Sequence, residues 1–159
     1  MPFTPYHFGP GVLFKSLVPR RLSLIAYCAA QVTIDCETLF FILHRAKPDH
    51  RFFHTFVGAS LVGLGTAVAI AFVAPVLPRP WRWVNGDLSW NALWVGGWVG
   101  GLSHALLDSM YHPDAVPFWP WSNANPLLTR HTLAPEICVV TGVAGLVLLA
   151  WRALARRSA

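Results

Sequence analysis

His104 and Asp108 stand four residues apart in an otherwise apolar stretch, so on a helix their side chains share one face about one turn apart. That spacing suits two ligands to one metal ion. The segment HRFFH repeats it with His50 and His54, and His7 lies in an apolar N-terminal stretch. Asp35 and Glu37 fall inside a further apolar run, where a carboxylate is costly unless it meets a partner, a water-filled cavity or a metal. Imidazoles and carboxylates together are the ligand types of zinc and of other divalent first-row ions. An ion held by Asp35, His54, His104 and Asp108, with His7 completing or extending the set, would lower the pKa of a water and polarise a phosphoryl or acyl oxygen. One or two ions fit such a set, zinc foremost and manganese second. Glu37 is the candidate general base, and Arg51 the candidate to orient an anionic head group through its forked guanidinium.

Each element also has a plainer reading. His104 and Asp108 would serve as an intramembrane hydrogen bond, Asp35 as a partner of Arg45 or Arg51, and His50, His112 and His131 as loop residues. Convergence favours the metal: several costly polar placements map to one end of a helical bundle.

The elements that must position these residues follow from composition. A chain that is 55% hydrophobic and 12% charged departs from ordinary soluble proteins and predicts an all-α integral membrane bundle, residues 1–159 forming a single domain. The clearest span is 56–77, which has 22 residues with no charge, enough to cross a hydrocarbon core of about 30 Å. Segments 22–43 and 92–111 are similar but carry polar residues, and 137–151 is a shorter candidate. These predict about four transmembrane helices plus a short N-terminal helix. Gly96, Gly97, Gly100 and Gly101 form two patches at four-residue spacing that allow close helix packing.

Alternating crossings bring Asp35, Glu37, His54, His104 and Asp108 to one side. His7 joins them only if residues 6–18 fold back into the bundle or the first span is not a full crossing. Lys and Arg divide eight to four between the two sides, which places both termini in the cytoplasm. Pro- and Trp-rich connections, including Pro78, Trp81, Pro117, Trp119 and Trp121, read as interfacial loops, and the one from His112 to His131 as a lid or lipid-facing mouth. Cys28, Cys36 and Cys138 lie in apolar surroundings without CxxC spacing and read as buried free thiols. The opening MPFTPYHFGPG has no basic stretch before an apolar core and does not read as a cleaved signal peptide. Basic residues form no long block of the kind that tracks phosphates, so direct nucleic-acid binding is not expected.

MPFTPYHFGPG, the acidic DCE, HRFFHT and GGLSHALLDSMYHPDAVPFWPWS together resemble the YdjM-like family, LexA-binding metal-dependent hydrolases associated with the bacterial inner membrane. The likeness spans nearly the whole chain, and its most specific parts are SHALLD and PFWPWS. It implies a multi-pass protein of the bacterial inner (cytoplasmic) membrane and a polar set of His7, Asp35, Glu37, His50, Arg51, His54, His104 and Asp108. Glu37 stands where that family more often carries an aspartate. The order Asp35, His54, His104, Asp108 is also similar to the ligand order of zinc-dependent phospholipase C. That second likeness implies phosphoester hydrolysis, with membrane lipids as surroundings and a lipid or phosphoester as substrate.

Two alternatives belong to other classes. Intramembrane carboxylates and histidines also line ion pathways, so a non-catalytic protein handling metal ions or protons fits the same residues. The absence of a second polar set in an inverted repeat argues against it. A regulatory scaffold leaves the intramembrane acids unexplained.

Overall fold

A computed structural model describes residues 6–76, 87–129 and 133–156 of the chain. Among them the regular structure is entirely helical: α1 (Phe8–Leu17), α2 (Leu24–Leu43), α3 (Phe56–Val73), α4 (Trp90–Tyr111) and α5 (Leu133–Ala155), with short 3-10 turns at Phe52–His54 and Ala74–Val76. Among the described residues three segments are long and apolar enough to cross a membrane: Leu24–Leu43, Phe56–Val76 and Leu133–Ala155. The sequence predicts about four, and α4 is the one that falls short. It is 22 residues long, but its glycines, Asn91, His104 and Asp108 dilute its apolar character, and much of it is buried by α2 and α3.

Helix ends follow local chemistry. Ser23 starts α2 by accepting from Ala26 N at 3.1 Å, and Thr55 starts α3 by accepting from Gly58 N at 2.9 Å. Pro75 cannot donate a backbone hydrogen bond, and α3 passes into a 3-10 turn there. The fourth candidate is longer than expected: α5 begins at Leu133, accommodates Pro135 in its first turn and spans 23 residues. Pro78, Trp81, Arg130 and His131 lie outside the described residues.

The four glycines of α4 divide between two neighbours. A Cβ on Gly96 would stand 2.2 Å from Ser23 O, and one on Gly100 2.8 Å from Tyr27 O, so this stripe lies against α2. On Gly97 and Gly101 it would stand 2.2 Å from Gly63 O and 2.1 Å from Ala59 O, both on α3. α4 is therefore pressed backbone to backbone into α2, which runs parallel to it, and α3, which runs antiparallel. Continuing the first stripe at the same spacing gives His104 and Asp108. The glycines that draw α2 and α4 together thus also aim the ligand pair at α2.

α1 resolves where His7 belongs. This helix of 10 residues is too short to cross a membrane, runs antiparallel to α2 and lies along α5. His7, just before it, is buried in the bundle, and Tyr27 Oη donates to His7 O at 3.2 Å. At the opposite end Asp87 accepts from Leu24 N at 3.1 Å and Ile25 N at 3.0 Å and pairs with Lys15, tying α1 and α2 together.

The outer faces stay apolar. Val139, Val140, Val143, Leu146 and Val147 of α5 and Trp90, Trp94 and Trp98 of α4 are exposed, the pattern of a surface meant for lipid. The expectation of buried thiols holds for Cys138 but not for Cys36, which is exposed because it sits on the outward side of α2; all three thiols are free.

Candidate metal centre

Asp35, His54, His104 and Asp108 each present one ligand atom, all within 4.8 Å of one another. α2 supplies Asp35, α4 supplies His104 and Asp108, and the 3-10 turn before α3 supplies His54. His104 Nε2 is 3.1 Å from Asp108 Oδ2 and 3.4 Å from Asp35 Oδ1, and His54 Nε2 is 3.3 Å from the same Asp108 oxygen. His54 and His104 are fully buried, and the Asp108 side chain is 4% exposed. From the other side His7 Nε2 reaches 3.4 Å from Asp108 Oδ1.

The second nitrogen of each ligand-set imidazole is already engaged. Gln31 Nε2 donates to Gly100 O and Ser103 Oγ, both at 3.1 Å, which fixes its amide so that Oε1 accepts from His104 Nδ1 at 2.6 Å. Glu37 Oε2 lies 3.3 Å from His54 Nδ1 and accepts from Phe53 N at 2.9 Å and Arg51 N at 3.3 Å. Outer partners of this kind fix the tautomer and ring orientation of metal-binding histidines. In that tautomer both Nε2 atoms face Asp108 Oδ2, with Thr38 Oγ also 3.2 Å from His54 Nε2, and positive charge at this point, from a metal ion or from protonated rings, matches the carboxylates. His104 Nε2, Asp108 Oδ1 and both ring nitrogens of His7 are buried without a hydrogen bond among the described residues, so the donors present fit a divalent ion.

Sequence-predicted residues thus separate into three groups. Asp35, His54, His104, Asp108 and His7 converge. Glu37 stands behind His54, on its far side from Asp108. Arg51 is turned away, its guanidinium donating to Pro48 O at 3.0 Å and Lys47 O at 3.4 Å and lying 3.7 Å from the centre of the Phe41 ring.

His50 is not a solvated loop residue. It is 6% exposed, and its Nδ1 meets Asp114 Oδ2 at 3.0 Å, while Asp114 also accepts from the backbone N–H groups of Asp49 and His50. His112, which follows α4, forms a further group with His50 and Asp108. Burial lowers the pKa of His50, with His54 adding to the effect; burial and then His50 push His112 down to about 4. For Asp114 burial raises the carboxyl, but the hydrogen bond and charge of His50 together with backbone N–H donors outweigh it and lower the carboxyl. Gln31, Asp114 and the role of His112 escaped sequence reasoning, while His50 entered it through the HRFFH spacing and the polar set that the family likeness implies. Gln31 had a signal, since it lies four residues before Asp35 on one helical face.

Two clefts lie at the loop end. A cleft of about 600 Å³ is lined by Thr38, Lys47, His50, His112 and Asp114 among others, and a smaller one of about 240 Å³ by His50, Arg51, Asp114 and Trp119 among others. The connection after α4 folds back over this end, with Asn125 Nδ2 donating to Ser109 O and His112 O and Pro117 O accepting from Phe56 N. Comparison of the chain with protein-family models, with curated proteins and with solved structures gave no match.

Proposed function

We propose that the buried cluster holds a divalent ion, zinc foremost and manganese second, and that the chain is a membrane-embedded metal-dependent hydrolase acting on a phosphoester or lipid-linked substrate. One observation carries the reading: His54 and His104 turn Nε2 toward Asp108 Oδ2 at 3.3 and 3.1 Å while their Nδ1 atoms face Glu37 and Gln31. Such an ion supplies Lewis acidity toward a phosphoryl or acyl oxygen and lowers the pKa of a water toward neutrality. The chain's own residues hold the donors in place, keep the bundle side closed and leave the loop side open. Arg51 and Lys47 line the two clefts there and offer positive charge to an anionic group.

Exposed Phe118, Trp119 and Trp121 at the same end suit a membrane interface, and a cleft opening at head-group level favours a lipid-linked phosphate. With α4 as a fourth crossing and both termini cytoplasmic, the likeness to the YdjM-like family adds a bacterial inner membrane as the setting.

The test is elemental analysis of the detergent-purified protein beside a His54→Ala/His104→Ala double variant. Near-stoichiometric zinc or manganese is expected in the wild type and none in the variant, with phosphoester turnover following the metal. A second reading, a proton-handling network, rests on His54, whose pKa burial lowers but Asp108 and Glu37 together raise. A wild type that stays metal-free after metal is supplied overturns the hydrolase and leaves that network.

A further inference from the structure

We propose a second cation position, formed by His50, Asp108 and His112, that shares Asp108 with the buried set and faces the open cleft. It rests on the metal reading above and adds to it the place where substrate oxygens are received.

Three observations carry it. The ligand atoms of His50, Asp108 and His112 lie within 4.8 Å of one another. His50 is prepared as its counterparts are: Nδ1 is spent on Asp114 at 3.0 Å, and Nε2 is left toward Asp108 Oδ2 at 3.9 Å. Because Asp114 also holds the backbone N–H groups of Asp49 and His50, the loop carrying this imidazole is fixed together with its ring. His112 lies beside it, with ring centres 3.8 Å apart.

Asp108 is suited to bridging. Its Oδ2 lies among His50, His54 and His104, so one oxygen faces both positions, while Oδ1 faces His7 Nε2 at 3.4 Å. A carboxylate of this kind can serve two ions about 3.5–4 Å apart, the separation at which a pair clamps the attacking and leaving oxygens of a displacement. The two positions differ in what they leave open. The inner one has four protein donors and His7 close by. The outer one has three, at the wall of the cleft that His50 and His112 line, so its remaining positions are open to water and to an anionic oxygen of a phosphoester.

The experiment loads the detergent-solubilised full chain, freed of metal, with Mn²⁺ alone. Bound ions per chain are counted by elemental analysis, and the spin signal is recorded by electron paramagnetic resonance. Two ions and an exchange-coupled signal are expected in the wild type. One ion and an isolated-ion signal are expected in His112→Ala and in the bulk-preserving His112→Gln, the second variant covering failure of the first to fold. A wild type that saturates at one ion with an uncoupled signal overturns the second position while leaving the metal reading intact. Two coupled ions in both wild type and His112→Gln overturn its placement at His112. A wild type that binds none overturns the metal reading and this inference with it.

Discussion

Gln31 and His104 are joined across α2 and α4 by a hydrogen bond of 2.6 Å, and that bond decides which nitrogen of the imidazole faces Asp35 and Asp108. Removing it in Gln31→Ala leaves a buried N–H without a partner and frees the ring to rotate. Loss of such an outer partner typically weakens metal binding about 10- to 100-fold. A competition titration against a chromophoric zinc chelator should show a drop in that range with helicity unchanged, and equal affinities would detach Gln31 from the site.

Glu37 stands behind His54 with three donors on one oxygen, which suits a positioning residue better than the general base expected from sequence. Glu37→Gln is expected to weaken metal binding by roughly tenfold, with the phosphoester turnover proposed above restored at saturating metal. Turnover that stays lost at full metal occupancy would return Glu37 to acid–base chemistry.

The glycine stripes make opposite predictions at neighbouring sites. In Gly97→Ala the new Cβ meets Gly63 O at 2.2 Å, so α3 and α4 must separate, whereas in Gly65→Ala nothing lies within 4 Å. The first should lose ~1–3 kcal/mol, as overpacked cores do, and Gly65→Ala should gain up to ~1 kcal/mol from helix propensity. Thermal melts in one detergent compare them, and a Gly97→Ala protein as stable as wild type would show that the helices are not in backbone contact.

His112 offers a pH test on the metal-free protein. Burial and the neighbouring His50 push its pKa down to about 4, so the ring is neutral at pH 7, the form in which an imidazole binds a metal ion. The unfolded chain protonates this histidine near 6.5 and the folded one does not, so its contribution to stability is complete above 6.5 and declines as pH falls toward 4. Side-chain NMR of the histidines should place its midpoint near 4, and titration near 6.5 would mean that the ring is solvated.

Much of this was legible in the sequence because it depends on local rules. Uncharged apolar runs of about 20 residues cannot stay in water, which is why three of the expected spans appear near their expected positions. The four-residue spacing of His104 and Asp108 fixes a common face wherever the helix lies, and the glycines one and two turns earlier mark that face as a contact. Alternating helix direction then brings Asp35 and His54 to the same end.

Tertiary structure alone decided the rest, because it depends on which loop meets which ring. His50 reads as a solvated loop residue until Asp114, 64 positions away, folds back onto its imidazole and backbone. His7 reaches Asp108 because α1 packs along α5 and turns back into the bundle, which no local pattern specifies. Only the fold sets the Arg51 guanidinium against the carbonyls of Lys47 and Pro48 and the Phe41 ring. Local periodicity tells which side chains share a face, and long-range packing selects their partners, because a buried polar group takes whichever donor or acceptor the fold brings within reach.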